Sequence, residues 1–290
     1  MIWIIGCKGM LGTEFSLLLE KSDIPFTGTD YEIDITSLAA LEKYAAGFKH
    51  SEKIDWIVNC AAYTAVDKAE GDADACRLLN TMGAANIAAC AKKMGARLIH
   101  ISTDYVFDGQ GTRPYREDDE TNPIGVYGVT KRFGEIAVME NNPDSFIIRT
   151  AWLYGRYGNN FVHTMLRLMN ERDELKVVDD QRGSPTWAYD LSVTILLFIK
   201  KALPFGIYHF TNEGNITWFN FAEEIYRQGR ELGHIKTECK ITACTSAEYP
   251  AKVKRPEYSV LDKSKIKMAL QTDIPLWETS LKGYLTTCAL

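Results

Sequence analysis

No C-x-x-C pair occurs in this chain, and its seven cysteines (Cys7, Cys60, Cys76, Cys90, Cys239, Cys244 and Cys288) are scattered. An odd count without metal spacing argues for reduced, mostly buried thiols in a cytoplasmic protein. The five histidines are widely spread and offer no transition-metal set. Strong charge is also missing. A net charge of -5 gives no electrostatic reason for a nucleic-acid partner, although a nucleotide-sized anion can still bind a local cluster of donors. The longest nearly apolar run, residues 191–199, is too short to span a bilayer and reads as a buried helix. No basic leader or cleavage region precedes the opening M-I-W-I-I-G, which predicts a cytoplasmic location away from membranes. Repeats, low-complexity tracts and long linkers are absent as well.

What remains is an ordinary globular composition. The 290 residues are 46% hydrophobic and 24% charged, enough for one large domain or two modest ones with a real core. The first half alternates short β-rich runs (2–5, 26–29, 56–58, 97–102, 145–149) with helical patterns. One such pattern runs from the first strand through Leu19 and another spans 38–48. A long helix through Leu78, Met82, Ala85 and Ala89 has the spacing that keeps one face inward. Continuous apolar strands separated by helices predict a doubly wound parallel α/β sheet of Rossmann type. In the second half Gly, Pro and Asn are dispersed, as in G-N-N-F at 158–161 and Q-R-G-S-P-T at 181–186. Helices are predicted there over 162–170, 190–200 and 217–232, the last with Thr217 as N-cap. We therefore expect a dinucleotide-binding domain over 1–150, rejoined by a helix near 187–201. Residues 151–290 mainly form a smaller α/β substrate-binding domain, and the groove between the two is the natural ligand site.

Gly6-Cys7-Lys8-Gly9-Met10-Leu11-Gly12 lies between the first strand and the first helix. Glycine there lets the chain turn sharply and bring backbone N–H groups and a helix N-terminus against a pyrophosphate. The spacing alone is common at turns; the strand-turn-helix context is what carries the reading. Asp30 ends the second strand, where a carboxylate accepts from a ribose hydroxyl and repels a 2′-phosphate, favouring NADH. Lys8 would attract that phosphate and favour NADPH, so the preference stays open between them. Asp34 and Ile35 follow closely enough to line the adenine pocket.

Tyr127 and Lys131 stand four apart in Y-G-V-T-K, hence on one helical face. A free phenol, with a pKa of about 10, exchanges protons reluctantly near neutrality. A neighbouring ammonium stabilises the phenolate and is expected to pull that pKa down. Lys131 can also hold a nicotinamide ribose. Ser102 and Thr103 end a strand of the same sheet, where a hydroxyl can hydrogen-bond a substrate carbonyl. Glycine turn, strand-end hydroxyl and Tyr/Lys pair agree on one chemistry, reduction of a carbonyl.

G-C-K-G-M-L-G, N-C-A-A-Y-T-A-V-D-K-A-E, S-T-D-Y-V-F-D-G, V-Y-G-V-T-K and R-T-A-W-L-Y-G together resemble the extended short-chain dehydrogenase/reductase superfamily. Within it they are most similar to the dTDP-4-dehydrorhamnose reductases. The likeness runs over nearly the whole chain, through G-N-N-F, D-D-Q-R-G-S-P-T and a late K-R-P. The resemblance implies NAD(P)H-dependent reduction of the C4 keto group of dTDP-4-dehydro-β-L-rhamnose, a step toward cell-surface polysaccharide. It implies a triad of Thr103, Tyr127 and Lys131, and cofactor contacts from Ala61, Ala62 and Tyr63. Contacts to the dTDP-deoxysugar would come from Val66, Asp104, Tyr105 and Trp152, the last with an aromatic face suited to sugar C–H groups. Arg255 beside Pro256 has planar donors that suit a diphosphate, and equally suits a solvated loop.

Some members bridge subunits through magnesium held by carboxylates, and Glu14 and Asp190 stand at compatible places. The third position reads Gly283 instead of an acid, so no metal is expected, and the protein is expected to be a monomer or homodimer. Rival readings are another nucleotide-sugar 4-ketoreductase, an epimerase or dehydratase, and a catalytically silent NADP-binding regulatory subunit. A dehydratase should carry an Asp-Glu pair after the hydroxyl, where this chain has Thr103-Asp104-Tyr105. An intact Tyr/Lys/Thr set argues against the silent subunit.

Overall fold

Three strands of the first half, β1 (Ile2–Ile5), β3 (Trp56–Asn59) and β5 (Ser145–Thr150), are buried at every residue. That is the pattern of a parallel sheet covered on both faces. The computed structural model describes residues 1–49, 53–249 and 253–287, so Cys288 and His50 lie outside the described residues. In chain order β1 is followed by α1 (Met10–Lys21), β2 (Phe26–Thr29), α2 (Leu38–Ala45), β3, α3 (Val66–Ala69) and α4 (Ala73–Arg77). A π-helical stretch, Leu78–Gly83, leads into α5 (Ala84–Met94), then β4 (Arg97–Thr103), a single 3₁₀ turn at Asp104–Val106, α6 (Val126–Asn141) and β5. The second half holds β6 (Leu153–Tyr154), α7 (Phe161–Glu171), β7 (Glu174–Val178), β8 (Arg182–Gly183), β9 (Thr186–Trp187), α8 (Ala188–Lys200) and β10 (Gly206–His209). It ends with β11 (Ile216–Thr217), α9 (Trp218–Glu231), β12 (Lys240–Cys244), α10 (Ser264–Leu270) and α11 (Trp277–Thr287).

The main sheet has six strands in the order β10-β5-β4-β3-β1-β2, and every pairing is parallel. The order reverses beside β1, and ligands of such sheets bind beyond the carboxyl ends at that switch. Helices α1 and α8 cover one face, where Phe15, Leu19, Leu191, Ile195 and Phe198 pack over Ile4, Val58 and Ile148. Helices α2 and α5 cover the other, with Leu41, Ile87, Ala88 and Ala91 over Trp3, Ile57, Leu98 and Ile147. Each Val, Leu, Ile or Phe among them contributes about 1.5–3 kcal/mol on burial. The second half builds its own cluster from α7, α9 and α11, with Val162, Leu166, Phe221, Ile225 and Tyr284 at its centre. Thr217 caps α9 in a reciprocal capping box with Asn220.

One expectation fails. The helix through residues 73–94 does not keep Leu78, Met82, Ala85 and Ala89 inward: Leu78 and Met82 are exposed, and Asn80, Gly83, Ala84, Ile87 and Ala88 are buried. The inward face keeps an ordinary helical period through Cys76, Asn80, Gly83, Ile87 and Cys90, but it is built of small and polar residues while the larger Leu78 and Met82 face out, so apolar patterning alone picks the wrong phase. The buried Asn80 is satisfied by both backbone groups of Tyr63 and by the Thr130 hydroxyl.

Candidate active site

Parallel register sets the carboxyl ends of β1, β3, β4 and β5 side by side, with Ile5 opposite Asn59, Asn59 opposite His100 and Thr103 opposite Thr150. The loops that follow enclose a cavity of about 750 Å³. Gly6, Lys8, Gly9, Met10, Leu11, Gly12, Asp30, Asp34 and Ile35 line one side. Ala61, Ala62, Val66, Thr103, Asp104, Tyr105, Tyr127, Lys131 and Trp152 line the rest. Two of the residues singled out do not. Tyr63 turns its hydroxyl to Asp72 and its backbone to Asn80. Arg255 pairs with Asp67 at 3.0 Å.

The glycine turn is a tight fit. A Cβ at Gly12 would sit 2.1 Å from the Gly6 carbonyl oxygen, so helix start and strand end can abut only with glycine there. Gly9 is the N-cap of α1, and no side chain caps that end. The first-turn N–H groups, with the positive end of the helix dipole behind them, therefore present an uncapped donor set to the cavity, which fits the pyrophosphate of a dinucleotide. At the ribose end the Lys8 N–H donates to Asp30 Oδ2 at 2.9 Å, and the Lys8 ammonium pairs with Glu32 at 3.2 Å.

The opposite wall carries the reacting groups. Gly128 lets the first turn of α6 press on the Tyr105 carbonyl; a Cβ there would lie 2.2 Å from that oxygen. This contact fixes Tyr127 beside β4, where its phenol lines the same cavity as the Thr103 hydroxyl. Thr103 in turn donates to Asp104 Oδ1 at 3.0 Å and accepts the Tyr105 N–H at 3.2 Å. The Lys131 ε-amino group donates to the Ile101 carbonyl at 2.6 Å and lies 3.4 Å from His100 Nε2.

The electrostatics depart from the expectation that an ammonium lowers the phenol. Burial pushes the Tyr127 pKa up, Thr103 opposes the rise, and Asp104, Tyr105 and Cys76 add to it. Desolvation outweighs favourable contacts, so the phenol holds its proton firmly. Burial likewise lowers Lys131 to about 8, against the pull of Glu135, Cys76 and Cys60. Burial raises the Asp104 carboxyl to about 6 and the Cys60 thiol to about 12, which leaves Cys60 protonated and unfit as a nucleophile.

Sequence reasoning missed several residues here. Trp218 stacks on Trp152 with ring centroids 3.6 Å apart, and the Trp152 backbone is held at φ +48°. Glu135 and Arg149 form a fully buried two-pronged ion pair, at 2.8 Å on both prongs, which also accepts the Ser102 hydroxyl at 2.6 Å. Long-range pairs of this kind carry no local sequence signal.

Among the described residues no group of three or more His, Cys, Asp or Glu side chains is placed to hold a metal. Glu14 accepts the Arg156 N–H, Asp190 is bonded to Asn212 and Ser280, and a Cβ at Gly283 would touch the Trp187 ring at 3.1 Å. No helix among the described residues is long and apolar enough to cross a membrane.

Comparison with known proteins agrees with this geometry. A dTDP-4-dehydrorhamnose reductase of Streptomyces griseus is 43% identical over 286 residues, covering 96% of this chain and 91% of that protein. A dTDP-4-keto-6-deoxy-D-glucose reductase of Streptomyces niveus is 38% identical over 283 residues, covering 96% and 94%. The crystal structure of a dTDP-4-dehydrorhamnose reductase from Bacillus anthracis in complex with NADP superimposes with a TM-score of 0.92 at 36% identity, covering 99% of both chains. The family model described as RmlD substrate binding domain matches residues 1–290, and the chain belongs to that family.

Proposed function

We propose that this protein reduces the C4 carbonyl of dTDP-4-dehydro-β-L-rhamnose to dTDP-L-rhamnose at the expense of NAD(P)H. The observation that carries the reading is one cavity with an uncapped helix N-terminus on one wall and the hydroxyls of Thr103 and Tyr127 on the other. The nicotinamide cofactor, when bound, supplies the hydride. Thr103 orients the carbonyl by a hydrogen bond to its oxygen. Tyr127 gives its proton to the oxygen as negative charge develops there, and the tyrosinate is reprotonated from solvent. A phenol raised by burial is a proton donor that stays loaded through the neutral range. Lys131 stands on the same helical face and would bind the nicotinamide ribose while compensating the transient tyrosinate. Trp152, backed by Trp218, offers an aromatic surface to the deoxysugar.

At the adenosine ribose, Asp30 and Glu32 outnumber Lys8, whose charge Glu32 already engages. This balance favours NADH over NADPH. The test is purified protein given each dTDP-4-keto-6-deoxy sugar with either cofactor, followed by near-ultraviolet absorbance and product NMR. Stoichiometric cofactor oxidation with formation of dTDP-L-rhamnose is the expected result. Product with no net oxidation would make the protein an epimerase. The relative that reduces dTDP-4-keto-6-deoxy-D-glucose supports a second reading, in which the same residues act on a differently configured sugar; the stereochemistry of the product decides between the two.

A further inference from the structure

Resting on the ketoreductase reading and deepening it, we propose that His100 is a positioning residue. Its ring tautomer, locked by Asn59, sets the place and the protonation of Lys131.

The argument begins at Asn59, whose amide orientation is fixed by its neighbours. Its Oδ1 accepts the Ala61 N–H at 3.0 Å, so its Nδ2 is the group that meets His100 Nδ1, also at 3.0 Å. A flipped amide would set its NH₂ against the Ala61 N–H. Nδ1 of His100 must therefore accept, and the proton of a neutral ring resides on Nε2. The opposite protonation state is disfavoured as well: burial, with Lys131 adding to it, drives the His100 pKa well below the usual range.

The protonated Nε2 lies 3.4 Å from the Lys131 nitrogen, which already donates to the Ile101 carbonyl at 2.6 Å. An ammonium has no lone pair to offer an N–H donor, whereas a neutral amine has one. The arrangement thus opposes the charged form and complements the neutral one. Glu135 on α6, Cys76 on α4 and Cys60 after β3 act the other way and favour charge. Burial brings Lys131 within reach of deprotonation, and the His100 N–H from β4 adds to it by facing the amine with a donor. Strand register pins the pair, since Asn59 and His100 are direct partners across β3 and β4, and both are buried.

The test uses His100→Asn in the full-length protein. An asparagine Oδ1 stands near where Nδ1 stood and still accepts from Asn59, but the N–H facing Lys131 is gone. The alkaline limb of kcat/KM for keto-sugar reduction, set by loss of the Lys131 proton, should move up by about one pH unit. A uniform fall in rate with the limb unmoved overturns the proposal and reduces His100 to packing. NMR of the parent protein labelled with nitrogen-15 in its histidines reads the tautomer without any sugar. A ring protonated at Nε2 supports the proposal, and one protonated at Nδ1 overturns it, even where the variant does not fold. Because this measurement needs no turnover, a failure of the ketoreductase reading is separable from a failure of the His100 assignment.

Discussion

Asp104 holds one carboxylate oxygen against the Thr103 hydroxyl at 3.0 Å, while its other oxygen is buried with no hydrogen-bond partner among the described residues. Burial raises this carboxyl to about 6 from an unfolded value of 3.8, with the Thr103 hydrogen bond opposing the shift. The folded state therefore binds the proton more tightly than the unfolded chain does. Its contribution favours folding below the lower value and is lost as pH rises toward the higher one. A shift of about two units corresponds to about 3 kcal/mol. Asp104→Asn should flatten the pH dependence of the urea midpoint between those two values. A midpoint that falls as steeply in the variant as in the parent would show that another group titrates there.

Tyr127→Phe removes the proton donor and leaves a ring of nearly the same shape. We expect turnover to fall by roughly 100- to 10,000-fold, with the dissociation constant for cofactor nearly unchanged. Thr103→Val should cost about 100-fold in kcat, since it removes one donor to the developing oxyanion. Steady-state kinetics and cofactor fluorescence titration check both. A Tyr127→Phe protein as fast as the parent would remove the phenol from the mechanism.

The Glu135–Arg149 pair sits directly behind the strand end that carries Ser102 and Thr103, and both side chains are 1% exposed. Arg149→Met leaves the Glu135 charge buried without its main partner and should destabilise the fold by about 3–5 kcal/mol. Adding Glu135→Gln removes the stranded charge and should recover part of the loss. Chemical denaturation of the single and double variants measures this, and additivity of the two changes would contradict a coupled pair.

These buried groups mark where the sequence ceased to be legible. Strands β1, β3, β4 and β5 announce themselves because a sheet covered on both faces needs uninterrupted apolar runs. The glycine turn is legible because only glycine fits where Gly12 meets the Gly6 carbonyl. The inward face of residues 73–94 is hard to read because it is built of small and polar side chains (Cys76, Asn80, Gly83, Ala84, Ala88), while the larger Leu78 and Met82 point outward. Glu135 and Arg149 lie 14 residues apart, and Asn59 and His100 lie 41 apart, so only the fold introduces them. The direction of the Tyr127 shift was lost for a similar reason, since a helical pair predicts proximity of charge but not the depth of burial that outweighs it.

Cofactor choice provides the last prediction. Lys8 is the one cation in the glycine turn, and it pairs with Glu32 at 3.2 Å beside Asp30. Both partners are largely exposed, so the pair itself is weak and salt-sensitive. Its effect on a dianionic 2′-phosphate is larger in kind, because Glu32 both neutralises Lys8 and repels the phosphate. Glu32→Gln should therefore raise kcat/KM with NADPH by about 3- to 10-fold and leave that with NADH nearly constant. Raising the ionic strength should narrow the difference between variant and parent. An equal gain with both cofactors would mean that Glu32 acts on the shape of the loop and not through its charge.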